Sequence, residues 1–312
     1  MRKAIITGPT GSIGTALIEQ LTANGVKVLA VVRPGSARAG NIPNHPLVSR
    51  VELDLNELDA LPRLLRGETY DVFYHFGWDG TFGNVRNDMQ VQLRNIQYTL
   101  KAVDAAAAVG CTRFIGAGSQ AEYGRVEGKL SASTPAFPEN GYGIAKLAAG
   151  QMSRILCGQK GMEHIWTRIL SVYGPHDGLN TLVMYTIGKL LNKERPSFTP
   201  CGQQWDYLYA GDAGKAMYLI GMYGKNGKVY PIGSGCVREL REYTEIIRSA
   251  IDPTAVMGYG DNPYNDRQVM YLCADITELK EDTGFEPSYS FSAGIRETID
   301  WYRSNVIRKK EQ

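Results

Sequence analysis

A tyrosine and a lysine four residues apart are the side chains in this sequence best suited to acid–base chemistry. Tyr142 and Lys146 lie in the run NGYGIAK (140–146), and residues i and i+4 of an α-helix share one face. A neighbouring ammonium favours the phenolate and lowers a tyrosine pKa from about 10 toward neutrality. Such a phenol can donate or accept a proton at a carbonyl or an alcohol. We predict that Tyr142 and Lys146 form a catalytic pair.

A serine upstream of this pair completes the predicted chemistry. Ser119 lies in AGSQAEYG (117–124), directly after a short β-rich run. Its hydroxyl can hydrogen-bond to the oxygen of a substrate and hold that oxygen in place for Tyr142. We therefore predict three catalytic residues, Ser119, Tyr142 and Lys146.

A glycine-rich loop near the N-terminus predicts a dinucleotide site. Residues 7–14 read TGPTGSIG, so Gly8, Gly11 and Gly14 separate a predicted strand from a predicted helix. In such a loop the first glycine permits the tight turn and the second lets backbone N–H groups approach a pyrophosphate. The third lets the helix pack closely on the strand. The helix N-terminus, with its partial positive charge, then faces the phosphates.

The end of the second predicted strand indicates which dinucleotide binds. A carboxylate about 20 residues after the glycine loop binds the ribose 2′-hydroxyl of NAD, but here the chain reads Val32-Arg33-Pro34, with Arg38 nearby. Arginine pairs with a 2′-phosphate, which a carboxylate would repel. The sequence therefore favours NADP, bound in part by Arg33, over NAD.

Short apolar runs alternate with amphipathic segments through the first half of the chain, and these elements must position the candidate residues. Predicted strands are Lys3–Thr7, Val26–Val32, Val48–Leu53, Asp71–Phe76, Arg113–Gly116 and Glu163–Leu170. Predicted helices are Ser12–Asn24, a segment capped by Asn56 that runs to about Arg66, Val85–Val109 and Gly141–Gln159. Such alternation is typical of an α/β fold with a doubly wound parallel sheet of the Rossmann type, covered by helices on both faces.

The alternation stops after Leu170, which indicates a smaller C-terminal α/β lobe. Val229–Ile232 and Val269–Leu272 are predicted as isolated strands, and helices are predicted at Thr181–Leu191, Asp212–Tyr223, Arg238–Ala250, Thr277–Thr283 and Ser292–Asn305. We assign residues 1–173, with parts of 205–235, to a dinucleotide-binding domain. Residues 174–204 and 236–312 form a predicted substrate-binding lobe.

Composition excludes several classes of function. The 312 residues contain 34 Lys and Arg against 32 Asp and Glu, a net charge of +2 that predicts no nucleic-acid partner. The five cysteines are far apart and the four histidines are scattered, so we expect no disulfide framework and no metal site. No apolar run approaches the ~18 residues of a membrane span, and the N-terminal run is too short for a signal peptide. We expect a cytoplasmic protein with no membrane partner.

Taken together, these motifs resemble the extended short-chain dehydrogenases/reductases of the NAD-dependent sugar epimerase/dehydratase family. The likeness covers nearly the whole chain. Besides the segments quoted above, it includes Asp54-Leu55, His75-Phe76-Gly77, Asn95, Arg168, YGP (173–175), DYLY (206–209) before Asp212, and WY (301–302).

This resemblance implies roles for individual residues. Tyr142 is the acid/base, Lys146 anchors the nicotinamide ribose and tunes Tyr142, and Ser119 polarises the substrate oxygen. The cofactor is held by Gly8, Thr10, Gly11, Ser12, Ile13, Gly14, Arg33, Asp54, Leu55, Phe76 and Gly77, together with Tyr142 and Lys146. The substrate, a nucleotide sugar, is held by Ser119, Gln120, Tyr142 and, at its diphosphate, Arg267. Members of the family pair through the helices predicted at Val85–Val109 and Gly141–Gln159, so we expect a homodimer.

Departures from the family pattern narrow the reaction. Related 4,6-dehydratases carry an Asp-Glu pair where this chain has Gln120 and Ala121, neither of which can transfer a proton. The 3,5-epimerase/reductases that make GDP-fucose use a cysteine and a histidine. His176 falls at the histidine position, but Ala121 takes the cysteine position. Dehydration and double epimerisation are both disfavoured.

Two reactions remain, together with one non-catalytic alternative. Arg33 favours an NADPH-dependent 4-ketoreductase that acts on a nucleotide-linked 4-keto-6-deoxyhexose and gives products of the dTDP-fucose or CDP-abequose type. The alternative is a 4-epimerase that keeps NAD bound throughout. Trp78 and Trp205 depart from the epimerase pattern. A dinucleotide-sensing regulator without activity has little support, since Ser119, Tyr142 and Lys146 are all present.

Overall fold

The computed structural model describes residues 1–266 and 268–308. Its strands are β1 (Lys3–Thr7), β2 (Lys27–Val32), β3 (Val48–Glu52), β4 (Val72–His75), β5 (Arg113–Ser119), β6 (Glu163–Ile169), β7 (Ser171–Tyr173), β8 (Gln204–Trp205), β9 (Tyr207–Tyr209), β10 (Val229–Ile232), β11 (Arg238–Glu239) and β12 (Tyr271–Leu272). Its α-helices are α1 (Ser12–Ala23), α2 (Leu61–Leu64), α3 (Met89–Ala108), α4 (Gly141–Gln159), α5 (Leu182–Leu191), α6 (Ala210–Tyr223), α7 (Leu240–Ile251), α8 (Thr277–Thr283) and α9 (Phe291–Tyr302).

Seven parallel strands form the central sheet, in the order β10-β6-β5-β4-β1-β2-β3. This is the strand order of a doubly wound Rossmann fold with one strand added, so the predicted fold class is confirmed. The order reverses between β1 and β4, and ligands of open α/β sheets bind at the carboxyl ends of strands beside such a reversal.

Alternating side chains of the sheet build two separate cores. Ala4 and Ile6 of β1 pack with residues of α1 and α6, whereas Ile5 between them packs with residues of α3 and α4. Every second side chain of a strand points to the same face, so strands that are apolar throughout must be covered on both faces.

One core residue fits only because three positions around it lack side chains. The indole of Trp166 on β6 lies against Gly116 and Gly118 of β5 and Gly150 of α4. A Cβ atom at any of these three glycines would overlap the indole ring. The close approach of α4 to the sheet therefore depends on the three glycines and the tryptophan together.

The smaller C-terminal region contains a third core. Helices α5, α7 and α9 pack around Ile187, Ile247 and Ile295, which are fully buried. Strands β8, β11 and β12 form one small sheet, and β7 pairs with β9. No helix within the described residues is long and apolar enough to cross a bilayer.

Four predictions about elements were wrong. Val229–Ile232 is not an isolated strand, because it pairs in parallel with β6 at the edge of the main sheet. The strand predicted at Val269–Leu272 is not isolated either, because its observed part, Tyr271–Leu272, pairs in parallel with β8. The segment expected to be a helix capped by Asn56 is a 3₁₀ turn, Leu55–Ala60, followed by the short α2. The cap is Asp54, whose carboxylate accepts a hydrogen bond from the Asn56 N–H. The long helix begins at Met89, not Val85, because the carboxylate of Asp88 accepts hydrogen bonds from the second and third N–H groups of α3.

Candidate active site

The carboxyl ends of the central strands surround a cavity of about 330 Å³. Residues predicted independently from different motifs line it together, among them Gly11, Ser12, Phe76, Ser119, Tyr142 and Lys146. They come from α1 and from the ends of β4, β5 and α4, so the fold brings distant parts of the sequence to one place.

The glycine loop between β1 and α1 has the geometry that its sequence predicts. Gly8 has a φ of +69°, and a Cβ atom there would lie 2.8 Å from the Gly77 nitrogen. A Cβ atom at Gly14 would overlap the Gly8 carbonyl, so this glycine lets the helix pack closely on the loop that follows β1. At Gly11 no atom lies within 4 Å of a Cβ position, so the loop leaves open space at the N-terminus of α1.

A second cavity of about 250 Å³ lies beside the first, with Gly8 and Trp78 lining both. It contains five more of the predicted cofactor residues, which are Thr10, Arg33, Asp54, Leu55 and Gly77. Arg38 also lines this cavity. Ile13 lies in the first cavity, with the rest of the glycine loop.

The residues that line these two cavities have features that fit an extended dinucleotide. The Ser12 hydroxyl is buried, and within the described part of the chain it has no hydrogen-bond partner. It lies at the first residue of α1, where the helix dipole and unpaired N–H groups attract an anion. A phosphate at this point would satisfy the hydroxyl and occupy the open space beside Gly11.

Ser119 and Tyr142 both line the cavity, and their side chains are close enough to interact. Burial raises the pKa of Tyr142, while the Ser119 hydroxyl and the charge of Arg86 act against the increase. The Arg86 guanidinium lies 4.6 Å from the centre of the Tyr142 ring. The predicted lowering of the Tyr142 pKa is therefore wrong for this structure, because loss of water around the phenol outweighs the neighbouring cations.

Lys146 also lines the cavity, and its ammonium bonds to the backbone of β5. Its ammonium donates a hydrogen bond of 2.6 Å to the Ala117 carbonyl and lies 3.6 Å from the centre of the Trp78 ring. The distance from the ammonium to the centre of the Tyr142 ring is 5.8 Å. Burial lowers the pKa of Lys146 to about 7, with the charge of Glu122 acting in the opposite direction. The lysine can therefore change its charge near neutral pH.

Trp78 is a cavity residue that the sequence analysis noted only as a departure from a family pattern. Its indole N–H donates to the Gln92 side chain at 3.0 Å, and Gln92 in turn donates to the carbonyls of Gly80 and Val85. Asn95, one turn later on α3, accepts from the Asp79 N–H and donates to the Asp79 carbonyl. Two amide side chains at i and i+3 thus fix the loop that carries the indole.

A buried histidine joins the ends of β1 and β4 behind the cavity. The Nδ1 atom of His75 lies 2.9 Å from the Thr7 hydroxyl, and its Nε2 atom lies 3.3 Å from the Thr99 hydroxyl. Thr99 donates its own proton to the Asn95 carbonyl, so the hydrogen-bond network assigns the ring proton to Nε2. Burial, and then the charge of Lys146, lower the pKa of His75 to about 3, so this histidine is neutral.

A buried carboxylate fixes the backbone at Ser119. Glu122 accepts hydrogen bonds from the Ser119 N–H at 2.8 Å, from the Trp166 indole at 3.0 Å and from Arg168 Nε at 2.8 Å. Glu122 is fully buried and Arg168 is 5% exposed. The ion pair and the capping box of the 3₁₀ turn therefore both hold the strand end that carries Ser119.

The loop between β7 and α5 contributes to the cavity a residue that sequence reasoning missed. Asp177 lines the first cavity, and burial raises its pKa to about 6. The neighbouring His176 lines a different cavity, and its ring centre lies 4.9 Å from that of Trp301. The His176 carbonyl accepts a hydrogen bond from Arg38, which links this loop to the second cavity. In the run YGPHD (173–177) the sequence indicated His176 as the candidate, but Asp177 is the residue that lines the first cavity.

Among the described residues, one predicted substrate residue does not join the cavity. Gln120 follows Ser119 on the 3₁₀ turn, but it does not line either cavity described above. Arg267 lies outside the described residues. Across residues 1–266 and 268–308, no three His, Cys, Asp or Glu side chains are grouped so as to hold a metal ion.

Comparison with known proteins identifies the family of this chain. Residues 4–233 match the model of the NAD dependent epimerase/dehydratase family. A dTDP-glucose 4,6-dehydratase of Xanthomonas campestris is 24% identical, over 96% of this chain and 93% of that protein. Two solved structures share the fold over 97% of this chain. The UDP-glucose 4-epimerase of Thermotoga maritima with UDP-glucose has a TM-score of 0.86 at 20% identity and is covered to 99%. DesIV, a dTDP-glucose 4,6-dehydratase of Streptomyces venezuelae with NAD and TYD bound, has a TM-score of 0.84 at 22% identity and is covered to 97%.

Proposed function

Because this chain belongs to the NAD-dependent epimerase/dehydratase family of nucleotide-sugar enzymes, we propose that it reduces a nucleotide-linked 4-keto-6-deoxyhexose with NADPH. The observation that carries this proposal is the second cavity, where Arg33 directly follows β2 and Arg38 lies nearby. Gln120 and Ala121 support the same conclusion, because neither can perform the proton transfers that dehydration requires.

The proposed roles follow from the contacts at Ser119 and Tyr142. A nicotinamide dinucleotide supplies the hydride that reduces the C4 carbonyl. Tyr142 donates the proton that converts the C4 oxygen to a hydroxyl, and Ser119, which lies beside Tyr142 in the same cavity, holds that oxygen in place. The raised pKa of Tyr142 suits this direction, because the phenol stays protonated and is ready to donate. Lys146 is proposed to hold the nicotinamide ribose. Its ammonium is also proposed to stabilise the phenolate that Tyr142 becomes after proton transfer.

The dinucleotide is proposed to extend across both cavities. The glycine loop and Ser12 would hold the pyrophosphate, Phe76 would line the nicotinamide end, and Thr10, Asp54, Leu55 and Gly77 would line the adenosine end. Arg33 is proposed to hold the 2′-phosphate. The unpaired Ser12 hydroxyl and the open space at Gly11 support this placement.

Arg33→Ala is expected to weaken NADPH binding by roughly ten- to a hundredfold and to leave NADH binding almost unchanged. The reason is the loss of a charge-assisted hydrogen bond to the 2′-phosphate, an interaction worth about 1.5–3 kcal/mol. Dissociation constants for both cofactors, measured by fluorescence titration of the two proteins, test this. Arg63→Ala, at an exposed position of α2, serves as the control. An equal loss for NADPH and NADH would mean that Arg33 does not recognise the phosphate.

A 4-epimerase that retains NAD is the second candidate. The family description names NAD, and a solved structure with the same fold carries the name UDP-glucose 4-epimerase. The two candidates differ in their use of cofactor. The reductase consumes one NADPH for each dTDP-4-keto-6-deoxyglucose, seen as a loss of absorbance at the nicotinamide band. The epimerase would interconvert UDP-glucose and UDP-galactose as purified, with no added cofactor, and that result would reject the reductase.

The nucleotide is proposed to bind in the lobe made of residues 174–204 and 236–312. A cavity of about 390 Å³ is lined by Tyr185 and Phe198 of that lobe and by the adjoining aromatic side chains of Trp205 and Tyr207. Aromatic faces stack well with nucleobases, and this stacking depends little on which base the nucleotide carries. Arg267, outside the described residues, remains the proposed partner of the diphosphate.

We also propose that two copies pair through α3 and α4. Five apolar side chains are about half exposed on these two adjacent helices, namely Met89, Leu93, Ile144, Met152 and Ile155. Surfaces of this kind are more common at subunit contacts than on monomers. Light scattering at micromolar concentration is expected to give the mass of a dimer, and Leu93→Asp with Ile155→Asp is expected to give a monomer. Tyr223→Asp, at an exposed site on α6, should leave the mass unchanged; a monomeric wild type would reject the proposal.

A cytoplasmic location is proposed from the chemistry of the cysteines. All five are free thiols, and four of them are buried. Reducing compartments keep such thiols in this form, whereas secreted domains more often pair them.

A further inference from the structure

Asp177 is the titratable side chain in the first cavity that the proposed chemistry does not use. Of the described residues that line this cavity, three carry ionisable groups: Tyr142, Lys146 and Asp177. Tyr142 and Lys146 have proposed roles in proton transfer and cofactor binding. Asp177 is the one carboxylate among these lining residues, and it comes from a different element, the loop between β7 and α5.

The carboxylate of Asp177 is held firmly by its own loop. Oδ1 accepts a hydrogen bond of 2.7 Å from the Gly178 N–H, and Oδ2 accepts one of 2.8 Å from the Thr181 hydroxyl. A carboxylate offers about four acceptor positions, so each oxygen keeps capacity for a further donor. Burial raises its pKa to about 6, while the two hydrogen bonds and the charge of Arg38 act against the increase. Asp177 is therefore mainly ionised above pH 7.

A second proton-transfer group would have no task in a ketone reduction. The reaction adds one hydride to carbon and one proton to oxygen, and Tyr142 is proposed to supply that proton. A fixed, partly desolvated carboxylate is instead suited to accept hydrogen bonds from hydroxyl groups, which are stronger when the acceptor is charged. The hexose is the part of the substrate that carries hydroxyl donors and that must lie beside Tyr142.

We propose that Asp177 binds the ring hydroxyls of the hexose and thereby helps to determine which sugar the cavity accepts. This inference rests on the proposed function for the substrate class. It assigns to Asp177 a contact with the sugar alone, distinct from the contacts proposed for the nucleotide and the diphosphate.

The test compares a sugar nucleotide with the same nucleotide lacking the sugar. Calorimetric titration at pH 7.5 with dTDP-glucose and with dTDP measures the two affinities for the wild type, Asp177→Asn and Thr181→Val. Asp177→Asn is expected to weaken dTDP-glucose binding by about tenfold and to leave dTDP binding unchanged. Thr181→Val, which removes the hydroxyl that bonds to Oδ2 and to the Gly178 carbonyl, is expected to cause a smaller loss in the same direction. Asp300→Asn, an exposed carboxylate on α9, is the control.

A pH series adds a readout that a purely structural role would not give. Protonation of Asp177 removes its charge, so the affinity of the wild type for dTDP-glucose is expected to fall as the pH decreases through about 6. The affinity of Asp177→Asn should not show that step.

Three outcomes would overturn the inference. One is an equal loss of affinity for dTDP-glucose and dTDP in Asp177→Asn. Another is no loss for either ligand. The third is a fall in kcat with KM unchanged, which would make Asp177 a proton-transfer group. If the wild type binds no sugar nucleotide at all, whether based on dTDP or UDP, the proposed function fails and this inference fails with it. If instead the wild type binds dTDP-glucose and Asp177→Asn binds it equally well, only the inference about Asp177 fails.

Discussion

Replacement of Tyr142 by phenylalanine is expected to lower kcat by about 10²- to 10⁴-fold, the usual contribution of a positioned general acid. The change removes the phenol oxygen beside Ser119, while the ring keeps its contacts with Trp78 and Arg86. The measurement is steady-state oxidation of NADPH with dTDP-4-keto-6-deoxyglucose, alongside the dissociation constant of NADPH. Cofactor affinity should stay within about threefold of the wild type, because the ring still occupies its place.

Tyr223→Phe is the matched control for this experiment. Its side chain is 53% exposed at the end of α6, away from the cavity, so turnover should not change. If Tyr142→Phe retains turnover within about threefold of the wild type, another group donates the proton and the proposed role of Tyr142 is wrong.

Glu122→Ala is expected to destabilise the protein by about 3–5 kcal/mol, the usual cost of leaving one member of a buried ion pair unpaired. The substitution removes the charge partner of Arg168 and the acceptor used by the Trp166 indole and the Ser119 N–H. Stabilities of whole domains are typically about 5–15 kcal/mol, so a large part of the folding free energy is at risk. Urea denaturation followed by tryptophan fluorescence measures the difference.

Two further variants show whether the buried charge is the cause. Glu139→Ala breaks the surface pair with Arg125 and should shift the urea midpoint little, since water screens exposed pairs. The double variant Glu122→Leu with Arg168→Met removes both charges and should recover much of the lost stability. A Glu122→Ala protein as stable as the wild type would mean that the pair contributes nothing to the fold.

Regular elements were predictable because their signals are local. The limits of β1 and of α4 agree with the sequence prediction, since a short apolar run or a helical face with a cap such as Asn140 determines each of them. The glycine loop was predictable for the same reason: tight turns restrict the residues that can occupy them. These motifs lie at strand ends, so a parallel sheet places them around one cavity.

The missed residues lie where no periodic pattern exists. Trp78 and Asp177 are on irregular loops, and their orientations depend on distant partners such as Gln92 and Thr181. The charge states of Tyr142 and Lys146 also could not be predicted from the sequence. Spacing alone suggested that Lys146 lowers the pKa of Tyr142, but burial of the phenol, which only packing reveals, has the larger effect.

The indole of Trp166 and the three glycines around it have a consequence for how this chain can change over generations. Because a methyl group at position 116, 118 or 150 would overlap the ring, none of these glycines can be replaced while the tryptophan remains. At positions 116 and 150 the indole is the obstacle, so a smaller residue at 166 would first have to open the space, at the cost of a void. At position 118 a Cβ atom would also overlap Glu122 and the Thr167 carbonyl, so a smaller residue at 166 would not be enough. We therefore expect substitutions at 116, 150 and 166 to be coupled, because a change at one of these positions is tolerated only together with a change at another.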